Sequence, residues 1–287
     1  MNGSKQKGLV AVIGTMGTNT SKWTPALLGC GFTVRSLVRT PVVALAPGQT
    51  QMRFDLEDKS GYEGALGGAD ILALVTPPHP DQVARETALI AAAEAAGVKR
   101  IVNLSTLGAD LPEPITAFAR WQREIETALA RSSVPAVTLR PNFFMQNILA
   151  QRSAIRSGIF AQPWGAFAMS VIDVSDVAEV AASVADGSHD GTAIDLTGPE
   201  ALTGEEMAAL LARAVGYPVA FVSPDLADFR AALDQQHTPA WMIDALVEIY
   251  GAMAEGRAQH LSHVSDGVPS VLKRPGHSFE TFVRDQL

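Results

Sequence analysis

The sequence has few of the features that stabilise secreted or membrane proteins. Its 287 residues include one cysteine, Cys30, which excludes an internal disulfide. No apolar run approaches the roughly 20 residues that a membrane-spanning helix needs. The polar start at Met1 also lacks the apolar core of a signal peptide. These absences predict a cytoplasmic protein with no membrane partner.

Acidic residues are absent from the first 54 positions, although the whole chain has a net charge of -8. That segment contains six basic residues, namely Lys5, Lys7, Lys22, Arg35, Arg39 and Arg53. The acidic excess elsewhere argues against nucleic-acid binding, which needs a basic face. An acid-free start suits a small polyanionic ligand at that end, although a buried strand and helix would also carry few charges.

Two common kinds of catalytic site are missing. No Gly-x-Ser-x-Gly pentapeptide occurs, which argues against hydrolase chemistry on an α/β scaffold. His260 and His263 are spaced closely enough to share a metal, but we find no complete ligand set around them. We therefore expect no metal site.

Short β-rich apolar runs alternate with longer helical stretches, which predicts an α/β fold with a doubly wound parallel sheet of the Rossmann type. The predicted strands are Leu9 to Ile13, Thr33 to Val38, Gln51 to Phe54, Ile71 to Val75, Ile101 to Leu104, Ala136 to Leu139 and Ala193 to Leu196. The predicted helices between them are Ser21 to Leu28, Pro80 to Ala96, Pro114 to Arg131 and Ser175 to Ala185.

The pattern becomes mainly helical after Pro199. It begins with a capping box, in which Thr203 and Glu206 satisfy free donors at a helix start. We therefore predict one Rossmann-like domain over 1–287, in which 199–287 form a smaller, mainly helical C-terminal substrate lobe.

The first predicted strand leads into a glycine-containing turn and then a helix. In a dinucleotide-binding turn, glycines let backbone amides approach the pyrophosphate, whose charge the helix N-terminus stabilises. The residues of this turn are Gly14, Thr15, Met16, Gly17, Thr18, Asn19 and Thr20. Thr20 stands where the fingerprint has its third glycine, so it either weakens cofactor binding or supplies a hydroxyl. The same turn can also join a strand to a helix without any ligand.

The end of the second predicted strand distinguishes the two nicotinamide dinucleotides. NAD-binding proteins place an acidic residue there for the ribose 2′-hydroxyl, whereas this strand ends at Val38 and is followed by Arg39. An arginine at that place can pair with a 2′-phosphate. Unless Arg39 is simply an exposed loop residue, the cofactor is NADP(H).

Several segments together resemble the NmrA-like family of atypical short-chain dehydrogenases/reductases. Besides the glycine turn, they are Val34 to Arg39, Asp55 to Asp58, Gly97 to Ser105, Leu139 to Asn147 and Leu196 to Pro199. Members of this family include quinone and enone-type reductases, biosynthetic enzymes and redox-sensing regulators. The resemblance therefore implies a Rossmann fold and a bound dinucleotide, but no particular substrate.

Carried onto matching positions, the resemblance implies phosphate contacts along the glycine turn and a 2′-phosphate contact at Arg39. It implies adenine contacts at Asp55 and Leu56, and a cofactor lined by Val75, Thr76 and Pro77. Asn142, Phe143 and Phe144 would lie near the nicotinamide. Each has a structural alternative, because Asp55 can cap a turn, Pro77 can end a strand and the phenylalanines can be core.

Conventional short-chain dehydrogenases use a tyrosine with a lysine four residues later. Tyr62, Tyr217 and Tyr250 all lack that lysine, and Phe118 aligns with the catalytic lysine of some relatives. Hydride transfer can still proceed by positioning, with the proton from water. We expect Ser105, Asn142 and Phe143 to do the positioning, with Tyr250 as the alternative acid.

Further residues are candidates for the substrate pocket. Ser105 and Thr106 follow the fifth strand, where they either donate a hydrogen bond to a substrate oxygen or cap a turn. His79 follows the fourth strand and is a candidate for substrate binding unless it is merely an exposed loop residue. The predicted aromatic pocket, for which helix packing is the alternative, consists of Trp121, Trp164 and Tyr250 with Phe143 and Phe144.

The leading hypothesis is an NADPH-dependent reductase of a small aromatic or conjugated carbonyl or quinone-type compound. Quinones and conjugated acceptors suit solvent protonation because their reduced anions are comparatively stable. A non-catalytic NADP-sensing regulator is one alternative, and a non-redox isomerase, lyase or cyclase on the same scaffold is another. The sequence leaves open the substrate, the stereochemistry, the proton donor and whether the chain is catalytic at all. It also leaves open the oligomeric state, for which a homo-oligomer is one alternative.

Overall fold

The structure, a computed structural model, describes residues 7–14, 21–42 and 44–287. The predictions for Thr15, Met16, Gly17, Thr18, Asn19 and Thr20 therefore lie outside the described residues. The chain divides into two compact units. The first, here called the sheet unit, comprises Met1–Thr106, Trp121–Arg140 and Val174–Ile194. The second, the helical unit, comprises Leu107–Arg120, Pro141–Asp173 and Asp195–Leu287, so it takes in more than the predicted 199–287 lobe.

A seven-stranded sheet confirms the predicted doubly wound Rossmann fold. Its strands are β1 (Leu9–Ile13), β2 (Thr33–Val38), β3 (Gln49–Arg53), β4 (Ile71–Leu74), β5 (Arg100–Leu104), β6 (Ala136–Pro141) and β8 (Ala193–Leu196). They are ordered β3-β2-β1-β4-β5-β6-β8, with parallel pairing from β3 through β6. The order reverses between β1 and β4, which is the switch point where such sheets bind ligands.

The remaining two strands, β7 (Ile159–Ala161) and β9 (Ala220–Val222), form a separate parallel pair that the sequence analysis missed. The helices are α1 (Trp23–Gly29), α2 (Tyr62–Leu66), α3 (Gln82–Ala95), α4 (Ala117–Arg131), α5 (Arg152–Arg156), α6 (Val174–Val184), α7 (Gly204–Val215), α8 (Leu226–Gln235), α9 (Ala240–Ala254), α10 (Gly267–Leu272) and α11 (Phe279–Gln286). Within the described residues, none of these helices is long and apolar enough to cross a membrane.

Burial of the central strands explains why they were easy to predict. All four residues of β4 are buried, as are four of the five in β1. Strands covered by helices on both faces read as continuous apolar runs. On one face of the sheet, Leu37, Leu72 and Ile101 pack with Ile125 of α4 and Leu89 of α3. The core therefore holds the carboxyl ends of the central strands in fixed register.

The helical unit has its own hydrophobic core, and its helix α7 begins and ends at residues that favour helix termini. The capping box predicted at Thr203 is present, since its side chain accepts from the Glu206 N–H and the Glu206 carboxylate accepts from the Thr203 N–H. The helix it starts, α7, ends at Gly216, whose φ of 81° is left-handed. Met207 and Leu211 of this helix are fully buried in the core of the unit.

Candidate functional site

Gly14 and Arg39 leave the sheet side by side, because Ile13 of β1 is paired with Leu37 of β2. Gly14 has a φ of +64°, a conformation that favours glycine, and a Cβ added there would meet no atom of the described residues within 4 Å. Arg39 is exposed, and no ion-pair partner for it occurs among the described residues. A guanidinium in that state is available to an anionic ligand.

Asp55 and Leu56 follow the edge strand β3 and form a turn. Asp55 is exposed, and its carboxylate accepts a hydrogen bond of 3.0 Å from the Glu57 N–H. The carbonyl of Leu56 accepts one of 2.7 Å from the Tyr62 hydroxyl. The turn-capping alternative for Asp55 is thus realised. This bond uses only one of the two carboxylate oxygens of Asp55. The predicted adenine contact is therefore not contradicted, and it stays a prediction.

The segment after β4 is tied to a buried acid that the sequence analysis did not identify. Val75 is buried, Pro77 is exposed, and Thr76 between them donates a 2.5 Å hydrogen bond to Oε1 of Glu86 on α3. Gln82 donates to the same oxygen at 2.8 Å. Burial raises the pKa of Glu86 to about 7, although both of these hydrogen bonds lower it.

His79 lies with charged side chains of the sheet unit. Its Nδ1 accepts a 3.1 Å hydrogen bond from the Asp81 N–H, and its Nε2 lies 3.4 Å from Nη2 of Arg85. Arg85 is largely buried and forms an ion pair with Glu57, next to the Asp55 turn. These contacts link the segments after β3 and β4, so they give His79 a structural role beside its predicted role in substrate binding.

The hydroxyl of Ser105 is held by an ion pair. Ser105 follows β5, is 7% exposed and donates a 2.5 Å hydrogen bond to Oε1 of Glu126. Arg140 of β6 binds the same carboxylate, from Nε to Oε1 at 3.0 Å and from Nη2 to Oε2 at 2.6 Å. We predicted that Ser105 donates to a substrate oxygen, but the structure directs its hydrogen to Glu126 instead. Thr106 and Trp121, also in the sheet unit, are half-buried.

Asn142, in the helical unit, is saturated by structural hydrogen bonds. Its amide nitrogen donates to the Ser170 hydroxyl and to the Leu261 carbonyl, both at 2.8 Å, and its amide oxygen accepts from the Phe143 N–H at 2.8 Å. The side chain is 4% exposed. Both amide hydrogens are used in these bonds, so the side chain has no free hydrogen-bond donor for its predicted catalytic role.

Part of the predicted aromatic pocket is assembled around Tyr250. Its ring centroid lies 6.3 Å from those of Phe143 and Trp164, and 5.2 Å from that of Phe229. Trp164 and Tyr250 are buried in the core of the helical unit, and Phe143 packs against it. Phe144 is half-buried. Helix packing, the alternative reading of these rings, therefore accounts for the contacts of the cluster.

The three tyrosines differ in what their hydroxyls can do. Burial raises the pKa of Tyr250 above its ordinary value, which makes it a poor proton donor near neutrality. Burial also raises the pKa of Tyr62, whose hydroxyl already donates to Leu56. Tyr217 is exposed. Phe118, which the family resemblance aligns with a catalytic lysine, packs edge-on against Trp241 with centroids 6.4 Å apart.

Comparison with known proteins places these features in a family context. The family model described as the NmrA-like family matches residues 6–282. An NAD(P)H azoreductase of Xenophilus azovorans is 35% identical over 281 residues, which cover 96% of this chain and 97% of that protein. Quinone oxidoreductase 2 of Escherichia coli is 32% identical over 219 residues, which cover 74% and 76%.

A solved structure agrees with both the fold and the predicted cofactor. The NADPH-dependent quinone oxidoreductase of Escherichia coli, in its complex with NADPH, matches with a TM-score of 0.84. It is 26% identical, and the match covers 96% of this chain and 99% of that one.

Proposed function

Because the chain belongs to the NmrA-like family, we propose that it is an NADPH-dependent reductase of conjugated aromatic acceptors, either quinones or azo compounds. The observation that carries the proposal is the exposed guanidinium of Arg39 just after β2, which has no ion-pair partner in the part of the chain that the structure describes. A dehydrogenase that uses NAD would need an acid there. The names of the azoreductase and the quinone oxidoreductase support the redox half of the proposal.

The residues of the sheet unit fit the adenosine part of NADPH. Arg39 pairs with the 2′-phosphate, and Gly14, where a Cβ would meet no atom of the described residues within 4 Å, lets the backbone approach the phosphates. The proposed contacts along the rest of this edge are Asp55, Leu56, Val75, Thr76 and Pro77. When bound, NADPH supplies the hydride that reduces the acceptor.

Among the described residues, neither Tyr62, Tyr250 nor Ser105 is placed to supply the proton, so we expect it to come from water. The Tyr62 hydroxyl already donates its hydrogen to the Leu56 carbonyl, and the Ser105 hydroxyl donates its hydrogen to Glu126. Burial raises the pKa of Tyr250. Without a general acid, an acceptor is reduced fast only if its reduced anion is stable. Quinones meet that condition better than simple ketones do, because their reduced anions are phenolates.

We predict that the protein oxidises NADPH with a naphthoquinone or an azo dye as acceptor. A simple aromatic ketone should be slower by about a hundredfold, because its alkoxide product needs a positioned acid. The measurement is the loss of reduced-nicotinamide absorbance at saturating NADPH with each acceptor. Tight NADPH binding without turnover of any acceptor would favour the sensing regulator, and no binding of either dinucleotide would favour a non-redox enzyme.

We also predict that Tyr250→Phe keeps its turnover number within about threefold of wild type, because a buried tyrosine with a raised pKa contributes little as an acid. Tyr62→Phe, Tyr217→Phe, Lys22→Met and Lys99→Met should likewise remain active. The rates are compared at saturating NADPH, with cofactor binding measured separately. Collapse of turnover in Tyr250→Phe with cofactor binding intact would make Tyr250 the acid.

A further inference from the structure

The Ser105 hydroxyl has one hydrogen, and the structure shows where that hydrogen goes. It is donated to Oε1 of Glu126, 2.5 Å away. The Ser105 backbone is fixed as well, because its N–H donates to the Leu139 carbonyl of β6 at 2.8 Å. Ser105 is therefore held from both its backbone and its side chain.

The ion pair with Arg140 sets the direction of this hydrogen bond. Arg140 meets both oxygens of Glu126, and the two side chains are only 13% and 17% exposed, so solvent screens the pair weakly. A carboxylate that is paired with a guanidinium through both of its oxygens can only accept hydrogen bonds. Ser105 must then be the donor, and the lone pairs of its oxygen remain for another partner.

Ser105 stands on the half of the sheet that takes the nicotinamide end of a dinucleotide. In a doubly wound sheet, the cofactor spans the switch point, with one mononucleotide over each half. Here β1, β2 and β3 carry Gly14 and Arg39, while β4, β5 and β6 form the other half. The nicotinamide riboside offers two kinds of hydrogen-bond donor, the carboxamide N–H and the ribose hydroxyls.

We propose that Ser105 is a dedicated hydrogen-bond acceptor for a donor on the nicotinamide riboside, and that Glu126 and Arg140 are the positioning residues that hold it in this state. The proposal rests on NADP(H) binding as proposed above. It differs from the sequence-based expectation in polarity, because Ser105 receives a hydrogen bond from the ligand and donates none to it.

Calorimetric titration of NADP⁺ into matched variants tests this assignment. Ser105→Ala should weaken binding about fivefold, the usual size of one lost hydrogen bond. Ser105→Thr keeps the hydroxyl and should rescue binding to within about twofold. The double variant Glu126→Leu, Arg140→Met replaces the pair by apolar side chains of similar length, which such sites often tolerate. It should weaken binding, but by less than Ser105→Ala does, because the freed hydroxyl can rotate and its lone pairs are no longer held toward the ligand.

The acetylpyridine analogue of NADP⁺, which lacks the carboxamide N–H, identifies the donor. If Ser105→Ala weakens NADP⁺ but not the analogue, the donor is the carboxamide. If it weakens both alike, the partner is either a ribose hydroxyl or the carbonyl oxygen that the analogue shares. The double variant decides between them, because a Ser105 that donates to the ligand would bind it at least as well once its hydrogen is released from Glu126. The first result, or the second together with weaker binding by the double variant, supports an acceptor at Ser105.

A second serine–glutamate bond provides the matched control. Ser132 donates to Glu94 at 2.7 Å, near the ends of α4 and α3, and Ser132→Ala should leave both affinities unchanged. Unchanged affinities in Ser105→Ala, or wild-type affinity in a folded double variant, would overturn the proposal. Failure of the wild type to bind NADP⁺ would overturn the proposed function itself, which separates the two outcomes.

Discussion

Replacing Arg39 by aspartate reverses the dinucleotide preference of the protein. The wild type should bind NADP(H) at least about tenfold more tightly than NAD(H), since a charge-assisted bond to a phosphate contributes on the order of 1.5–3 kcal/mol. Arg39→Asp removes that contact, repels the 2′-phosphate and offers a carboxylate to a ribose 2′-hydroxyl. The measurement is the dissociation constant of each dinucleotide, at one fixed ionic strength because exposed charges are screened by salt.

Two further variants show whether the effect belongs to this position. Arg39→Met should lose NADP(H) affinity without gaining NAD(H) affinity, because methionine neither repels a phosphate nor accepts a hydroxyl. Arg131→Asp, an equal change of charge at the end of α4, should leave the preference as it is. A wild type that prefers NAD(H), or an Arg39→Asp variant that keeps the original order, would show that Arg39 is only a loop residue.

Glu86→Gln should stabilise the protein at alkaline pH relative to acidic pH. Burial raises the pKa of Glu86 to about 7, against an ordinary value of 4.5. Between these values the unfolded chain gives up the proton while the folded protein keeps it, so wild-type stability falls as the pH rises through this window. A difference of this size corresponds to roughly 3 kcal/mol by linkage. Glutamine keeps the shape of the protonated acid and removes the dependence.

Urea unfolding at about pH 5 and about pH 8 measures this effect. The stability difference between Glu86→Gln and the wild type should shift in favour of the variant by roughly 2–3 kcal/mol between the two pH values. Glu94, on the same helix, is the control, because hydrogen bonds from Ser132 and Ser133 lower its pKa. Glu94→Gln should produce no shift in this window. A difference for Glu86→Gln that does not vary with pH would mean that Glu86 is solvated in the folded protein.

The central strands were predictable because local pattern and burial agree there. Strands β1, β2 and β8 have the predicted bounds. The edge strand β3 begins at Gln49 instead of Gln51 and ends at Arg53, because it is held through backbone pairing with β2 while most of its side chains are polar. The three-residue strands β7 and β9 lie some 60 residues apart in sequence and pair with each other in a two-stranded sheet. Pairing between strands so far apart leaves no pattern in the local sequence from which it could be predicted.

The candidate site likewise contains some residues that the sequence could predict and others that it could not. Gly14 and Arg39 follow directly from their places at strand ends, where the chemistry of a dinucleotide needs a flexible backbone and a cation. Glu126 and Glu86 could not be identified, since an acid on a helix is usually exposed, and only the fold brings these two to Ser105 and Thr76. For Ser105 this changed the predicted role, because the partner of its hydrogen decides whether the oxygen donates or accepts.

A single-turnover experiment with deuterated NADPH tests the central claim, that this chain transfers a hydride from NADPH to a conjugated acceptor. Protein in excess is mixed without oxygen with NADPH labelled at one of the two C4 positions, and a naphthoquinone or azo dye is added. We predict that reduced-nicotinamide absorbance is lost only when acceptor is present, and that one of the two labels slows the loss by about twofold or more, because the barrier includes breaking that bond. Absorbance that stays constant with every acceptor, while NADPH is bound, would contradict the claim.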